Sequence, residues 1–234
     1  MIPVLKELLT IFKKHSKLDE AFSRSYEMLD ITKEMFLKAR KTLRETDTDQ
    51  LDVSVAELDK KVNKYQREVR KDVLQHLAVE GVEYLAPGLN VISIIIDLER
   101  IGDYAKNIVE LAECHQAKLE AGSRQADLKR IETAVENAFD RVRYILENSD
   151  QEGAEALIKE FIWINPLCDK HVRAFIKEED ESLSRRSTVA LALYFRFLKR
   201  IHSHLRNIAT TVYRPFHKIG FIPSKTKDEI DVDQ

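Results

Sequence analysis

The sequence predicts an all-α protein built as a tandem repeat of two three-helix bundles. Of its 234 residues 33% are charged, and only 6 are Gly and 5 are Pro, a composition typical of long amphipathic helices. Apolar residues recur at alternating spacings of three and four, the period of a helix that is buried on one face. Two segments 100 residues apart share this pattern, which indicates an internal duplication.

The first three predicted helices fill the first half of the chain. Helix one covers about residues 19–45 and ends at the turn cluster 46–49, Thr-Asp-Thr-Asp. Helix two covers about residues 51–80, where apolar residues keep the three-four spacing. Helix three begins near Pro87, a residue that suits a first helical turn, and runs to about residue 121.

The last three predicted helices repeat this organisation. Helix four covers about residues 123–148, with Ser123 as a candidate N-cap. Helix five covers about residues 152–181, and Pro166 must kink it, break it or mark a later start. Helix six covers about residues 184–214. Each apolar stripe must be buried against neighbouring helices, because isolated helices of this length are marginal in water.

These helices divide the chain into four parts. Residues 1–17 form a short amphipathic helix, which either packs on the body of the protein or lies on a membrane surface. Residues 18–122 form the first three-helix repeat and residues 123–214 the second, more degenerate one. Residues 215–234 are polar and are expected to be a mobile tail.

The duplication is clearest between helices three and six. Their apolar positions stay in phase over seven positions at an offset of 100 residues. Five residues also recur with the same identity: Leu98, Arg100, Ile101, Asn107 and Ile108 return as Leu198, Arg200, Ile201, Asn207 and Ile208.

Composition and missing motifs exclude several functional classes. The formal net charge of −2, without a basic stripe interleaved with aromatics, argues against a nucleic-acid partner. The longest uncharged run is too short to cross a bilayer. The two cysteines, Cys114 and Cys168, are expected to be buried free thiols in a reducing cytoplasm. Neither a phosphate-binding Gly loop nor a Glu-x-x-His, HExxH or GxSxG motif occurs.

The candidate site is an acidic pair inside an apolar run. Glu99 and Asp103 are four residues apart on helix three, and Asp59 and Asn63 have the same spacing on helix two. Two readings stay open: ordinary ion pairs with cations such as Arg100 and Lys106, or a metal ion held by oxygen ligands from two helices. Gly102, between the two acids, would allow a close helix approach beside them.

The segment 98–113, LERIGDYAKNIVELAE, preceded by LDKKVNKYQREV at 58–69, resembles the PhoU family of phosphate-signalling regulators. The resemblance extends over about residues 19–213 and is most specific in the first repeat, at Glu-Arg-Ile-Gly-Asp with Asn-Ile. It implies a PhoU-like, spectrin-repeat-like helical bundle. It also implies a non-enzymatic, often dimeric cytoplasmic protein, peripheral at the inner membrane, that represses phosphate uptake and phosphate-starvation signalling.

The resemblance further implies partners and a cofactor. The implied partners are a phosphate ABC transporter, through its ATPase subunit, and a phosphate sensor histidine kinase. The implied cofactor is iron or another divalent metal, held by Glu/Asp-x-x-x-Asp motifs that Glu99 and Asp103 match. On helix two Asp59 matches the first motif position, while Asn63 stands where an acid is usual.

The second repeat departs from this pattern. Lys199 and Ser203 stand where Glu99 and Asp103 stand in the first repeat, and a cation there repels a metal. At most one metal site is therefore expected, in the first repeat. Two alternative functions remain: an accessory regulator of a sodium- or proton-coupled phosphate symporter, and a metal-binding or metal-storage bundle.

Overall fold

The computed structural model describes residues 16–46, 53–115, 117–177 and 183–221. Four features of the sequence-based prediction lie wholly or partly outside these ranges: the N-terminal amphipathic helix, the turn after helix one, the end of helix five and most of the C-terminal tail.

Helices form all the regular secondary structure in the described ranges. There are seven α-helices there: α1 Lys17–Glu45, α2 Val53–Glu80, α3 Leu85–His115, α4 Gln125–Asn148, α5 Gln151–Glu160, α6 Ile164–Ile176 and α7 Arg185–Thr210. Short 3-10 turns at Val82–Tyr84, Gly122–Arg124 and Phe216–Lys218 accompany them. The all-α prediction is confirmed.

Capping chemistry fixes where α1 begins. The hydroxyl of Ser16 accepts a hydrogen bond from the backbone N–H of Asp19 at 3.1 Å, and the carboxylate of Asp19 accepts one from the backbone N–H of Ser16 at 3.0 Å. This capping box satisfies two backbone donors that the first helical turn leaves open. The helix therefore starts at Lys17, two residues before the predicted start.

Helix five is divided in two, and Pro166 marks the later start. A turn at residues 161–163 separates α5 from α6, and Pro166 is the third residue of α6. Proline is tolerated there because the first turn needs no N–H for an intrahelical bond. Other boundaries also differ from the prediction: α3 ends at His115, and Ser123 lies in a 3-10 turn before α4 instead of capping it.

The helices pack around one connected apolar core. α1, α2 and α3 contact one another, and α7 contacts α4, α5 and α6. Contacts between α3 and α7, and between α1 and α4, join the two halves. The predicted stripes are buried in both: Leu98, Ile101, Leu198 and Ile201 each have 0% exposure. The boundaries proposed for the two repeats stay a prediction.

Buried polar groups also join the halves. The carboxylate of Glu132 on α4 accepts hydrogen bonds from Arg44 on α1 at 3.1 Å and from the hydroxyl of Tyr194 on α7 at 2.8 Å. His204 on α7 lies 2.6 Å from Asp97 on α3. Such contacts fix how the helices align, because a buried polar group that loses its partner is costly.

Within the described ranges, no helix combines the length and the apolar character that crossing a bilayer requires.

Candidate functional site

The four predicted site residues come together between α2 and α3. Asp59 and Asn63 lie on α2, and Glu99 and Asp103 lie on α3, which packs against it. The amide of Asn63 donates a hydrogen bond to the carboxylate of Asp59 at 3.1 Å. The side chains of Asp59, Glu99 and Asp103 are 13%, 22% and 35% exposed. The site is thus a half-buried acidic patch at the edge of the helix contact.

Lys106, one turn after Asp103 on α3, supplies the positive charge in this patch. Its ammonium nitrogen lies 3.2 Å from Oδ2 of Asp59 and 3.9 Å from Oδ1 of Asp103. It therefore pairs with acids from both helices. Arg100 adds a second, more exposed contact at 3.3 Å from Asp103.

Among the acids of the patch, Glu99 has the negative charge that the neighbouring cations balance least. Burial raises the pKa of Glu99, and the neighbouring carboxylate of Asp103 raises it further, while Arg100 and Arg70 oppose the shift. Desolvation and like charge both disfavour the ionised form. Glu99 is therefore the member of the patch that gains most from an additional cation or from protonation.

The second repeat contains a matching polar contact that comparison of the sequences missed. Asn165 and Asp169, four residues apart on α6, face Ser203 and Lys199 on α7. The amide of Asn165 donates to the hydroxyl of Ser203 at 3.0 Å, and the ammonium of Lys199 pairs with Asp169. Each repeat therefore places a lysine against an aspartate of the neighbouring helix.

The titratable groups beside this second contact, His202 and Cys168, are buried and uncharged at neutral pH. His202, which is fully buried, lies with Nδ1 2.9 Å from Oδ1 of Asn165. Burial lowers the pKa of His202 to about 3, so its ring is neutral. Burial also raises the pKa of the Cys168 thiol to about 12. Cys114, in contrast, is exposed; the expectation that both thiols are buried is wrong for it, because its position falls outside the apolar stripe of α3.

Residues 26–112 match the model of the PhoU domain. This stretch, which spans most of α1, α2 and α3, is thus similar to the PhoU domain. The chain is also 23% identical over 164 residues to a protein from Synechocystis named phosphate-specific transport system accessory protein PhoU homolog, a match covering 68% of this chain and 72% of that protein. Its fold matches the crystal structure of PhoU from Pseudomonas aeruginosa with a TM-score of 0.74 at 20% identity, covering 84% of this chain and 95% of that one.

The PhoU-domain match contains the whole first-repeat patch, including Lys106, whereas the contact between α6 and α7 lies outside it. The likeness to the solved PhoU extends to most of the chain and carries the same helical fold into the second repeat. The two lysine–aspartate contacts thus occupy the two halves of a PhoU fold.

The residues of the first patch do not fit a metal as they are arranged. Divalent cations need several oxygen ligands that converge at about 2.0–2.6 Å, but the ammonium of Lys106 lies between the acids of α2 and α3. Over the described ranges, no group of three or more His, Cys, Asp or Glu side chains is placed to hold a metal ion. Of the two open readings, the geometry favours the ion pair, and metal binding stays a prediction.

Gly102 faces α1 and not the acids of the patch. A Cβ at Gly102 would meet Met35 and Thr32, both on α1, at 3.6–3.9 Å. That is an ordinary van der Waals distance, so sterics alone do not require glycine here.

Proposed function

We propose that this protein is a PhoU-like, non-enzymatic negative regulator of phosphate uptake and of phosphate-starvation signalling. The observation that carries the proposal is the PhoU-domain match over residues 26–112, together with a PhoU fold over 84% of the chain. A relative from Synechocystis is named an accessory protein of a phosphate-specific transport system, which supports the same role here.

The chemistry of the site supports binding as the mode of action. Strongly perturbed pKa values often mark catalytic groups, but here packing explains them: Cys168 and His202 lie in the core. Glu99, Asp103 and Asp59 form ion pairs with Lys106 and Arg100. Charged helical faces of this kind suit recognition of a partner, where complementary charge sets specificity and association rate.

The partners in this proposal are the ATPase subunit of a phosphate ABC transporter and a phosphate sensor histidine kinase. The protein acts as a homodimer on the cytoplasmic face of the membrane, where both partners expose soluble domains. The alternative is a sodium- or proton-coupled phosphate symporter in place of the ABC transporter.

Capture from native membranes separates these partners. The tagged chain, expressed from its own locus in phosphate-rich medium, is cross-linked in intact cells and purified after mild solubilisation, with an untagged strain as the control. We expect the ABC transporter ATPase and the kinase among the cross-linked proteins. Recovery of a symporter without the ABC transporter would replace the first partner by the second.

A further inference from the structure

A basic cleft lies in the second half of the molecule, away from the carboxylate patch. It has a volume of about 380 Å³ and lies between the segment that starts α4 and the last turns of α6. Four cationic side chains line it together with a serine and a histidine: Arg124, Lys170, Arg173, Lys177, Ser123 and His171. Its volume falls in the range of small-molecule sites.

Contacts between α4 and α6 hold the walls of the cleft in place. Nε2 of His171 on α6 lies 2.9 Å from a carboxylate oxygen of Asp127 on α4. The guanidinium of Arg124 lies 4.6 Å from the ring centre of Phe175 on α6. His171 also stacks on Phe195 of α7 with 4.7 Å between ring centres. These contacts therefore fix the relative positions of the two segments that carry the cationic side chains.

The positive charge of the cleft exceeds what the helices themselves require. Basic residues in the last turn of α6 offset the negative end of its dipole, which accounts for Arg173 and Lys177. It does not account for Arg124, which comes from the start of α4, or for Lys170, one turn earlier on α6. Among the ion pairs of the described residues, none involves Lys170 or Arg173. Lys170 and Arg173, added to the other cations of the cleft, raise the local positive potential, which attracts anions.

We infer that this cleft binds a phosphate-bearing anion. Phosphoryl oxygens accept paired hydrogen bonds from a guanidinium, and lysine adds a point charge. The Ser123 hydroxyl provides one more donor, and the positive end of the α4 dipole lies at the same edge. The ligand is inorganic phosphate or a larger phosphorylated molecule. The inference does not depend on the regulatory function proposed above.

Isothermal titration calorimetry of the full chain in low-salt buffer tests this binding. Inorganic phosphate and tripolyphosphate are titrated separately, so that a free-phosphate site is distinguished from one for longer phosphorylated ligands. The test variant is Lys170→Gln with Arg173→Gln. The control is Lys60→Gln with Lys159→Gln, which removes the same charge from side chains that are 78% and 80% exposed outside the cleft. Circular dichroism confirms that both variants are folded.

We expect saturable binding of at least one of the two anions to the wild type, weakened at least about tenfold in the cleft variant and by less than about twofold in the control. No saturable binding of either anion to the wild type overturns the inference. An equal loss in both variants also overturns it, because it shows non-specific attraction.

Discussion

At the residue scale, the ammonium of Lys106 determines the chemistry of the patch between α2 and α3. It lies 3.2 Å from Asp59 and 3.9 Å from Asp103, so the cation that balances these acids is part of the chain. Lys199 has the same relation to Asp169 in the second half. In the first half, where the family resemblance implied a metal, a lysine therefore pairs with the acids. In the second half a lysine again pairs with an aspartate of the neighbouring helix.

This arrangement predicts that the protein does not depend on metal. Protein purified without an affinity tag is expected to contain no stoichiometric metal by elemental analysis, and its unfolding temperature should not respond to a chelator. Lys106→Met keeps an apolar side chain of similar length but removes the charge, and it is expected to gain stabilisation by added divalent cations. A stoichiometric metal that is lost in Glu99→Ala with Asp103→Ala would contradict this account.

The raised pKa of Glu99 predicts that the wild type and the Glu99→Gln variant differ in stability by an amount that depends on pH. Because folding raises this pKa, the folded state binds the proton more tightly, and stability falls as pH rises through the titration. Glu99→Gln removes this cost and is expected to raise the free energy of unfolding at pH 7 by roughly 0.2–1 kcal/mol. The gain should vanish below the ordinary pKa of 4.5.

Chemical denaturation at pH 7 and at pH 3.5 measures this difference. Glu110→Gln, on the exposed face of the same helix, serves as the matched control and should show little change at either pH. A Glu99→Gln protein that is less stable at pH 7 would mean that ionised Glu99 has a favourable partner.

At the element scale, apolar periodicity predicts where helices run but not where they stop. The three-four spacing continues from Ala154 to Phe175, yet the chain turns at 161–163 before α6. Pro166 predicted an interruption but did not distinguish a kink from a new helix start, because a proline kinks a helix interior but is tolerated in a first turn. The outcome depends on tertiary packing: Phe161, the first residue of the turn, and Ile164, which directly follows it, are both buried.

Two glycines of α3 provide a test of helix packing. Gly102→Ala is expected to raise the free energy of unfolding by about 0.5–1 kcal/mol, because alanine favours the helix and its methyl group would lie 3.6 Å from Met35. Gly88→Ala has the same intrinsic advantage, but its methyl group would lie 3.1 Å from Val73 and 3.3 Å from Leu77. That variant should gain nothing or lose stability.

Urea denaturation of both alanine variants under the same conditions measures the contrast. Equal gains would show that Val73 and Leu77 move aside easily. A loss at Gly102 would show that α1 and α3 have no room for the methyl group.

At the scale of the whole molecule, the sequence predicted the duplicated all-α architecture and the meeting of Asp59 and Asn63 with Glu99 and Asp103, but not the contact between α6 and α7. Identical residues at an offset of 100 placed α3 and α7 in equivalent positions. Asn165 and Asp169 escaped alignment because their order is the reverse of Asp59 and Asn63. Only the packing of α6 on α7 reveals that they face Ser203 and Lys199. The basic cleft was equally hidden, because its cations come from two separated helices.

The regulatory function proposed above belongs to the molecule as a whole. Deletion of the gene in the native host tests it most directly. The measurement is the transcript level of phosphate-starvation genes in phosphate-rich medium, in the deletion strain and in the same strain carrying a plasmid copy of the gene. If the protein is a negative regulator of the PhoU family, these genes are expressed despite abundant phosphate in the deletion strain, and the plasmid copy restores repression. Genes that stay repressed after the deletion would contradict the regulatory role.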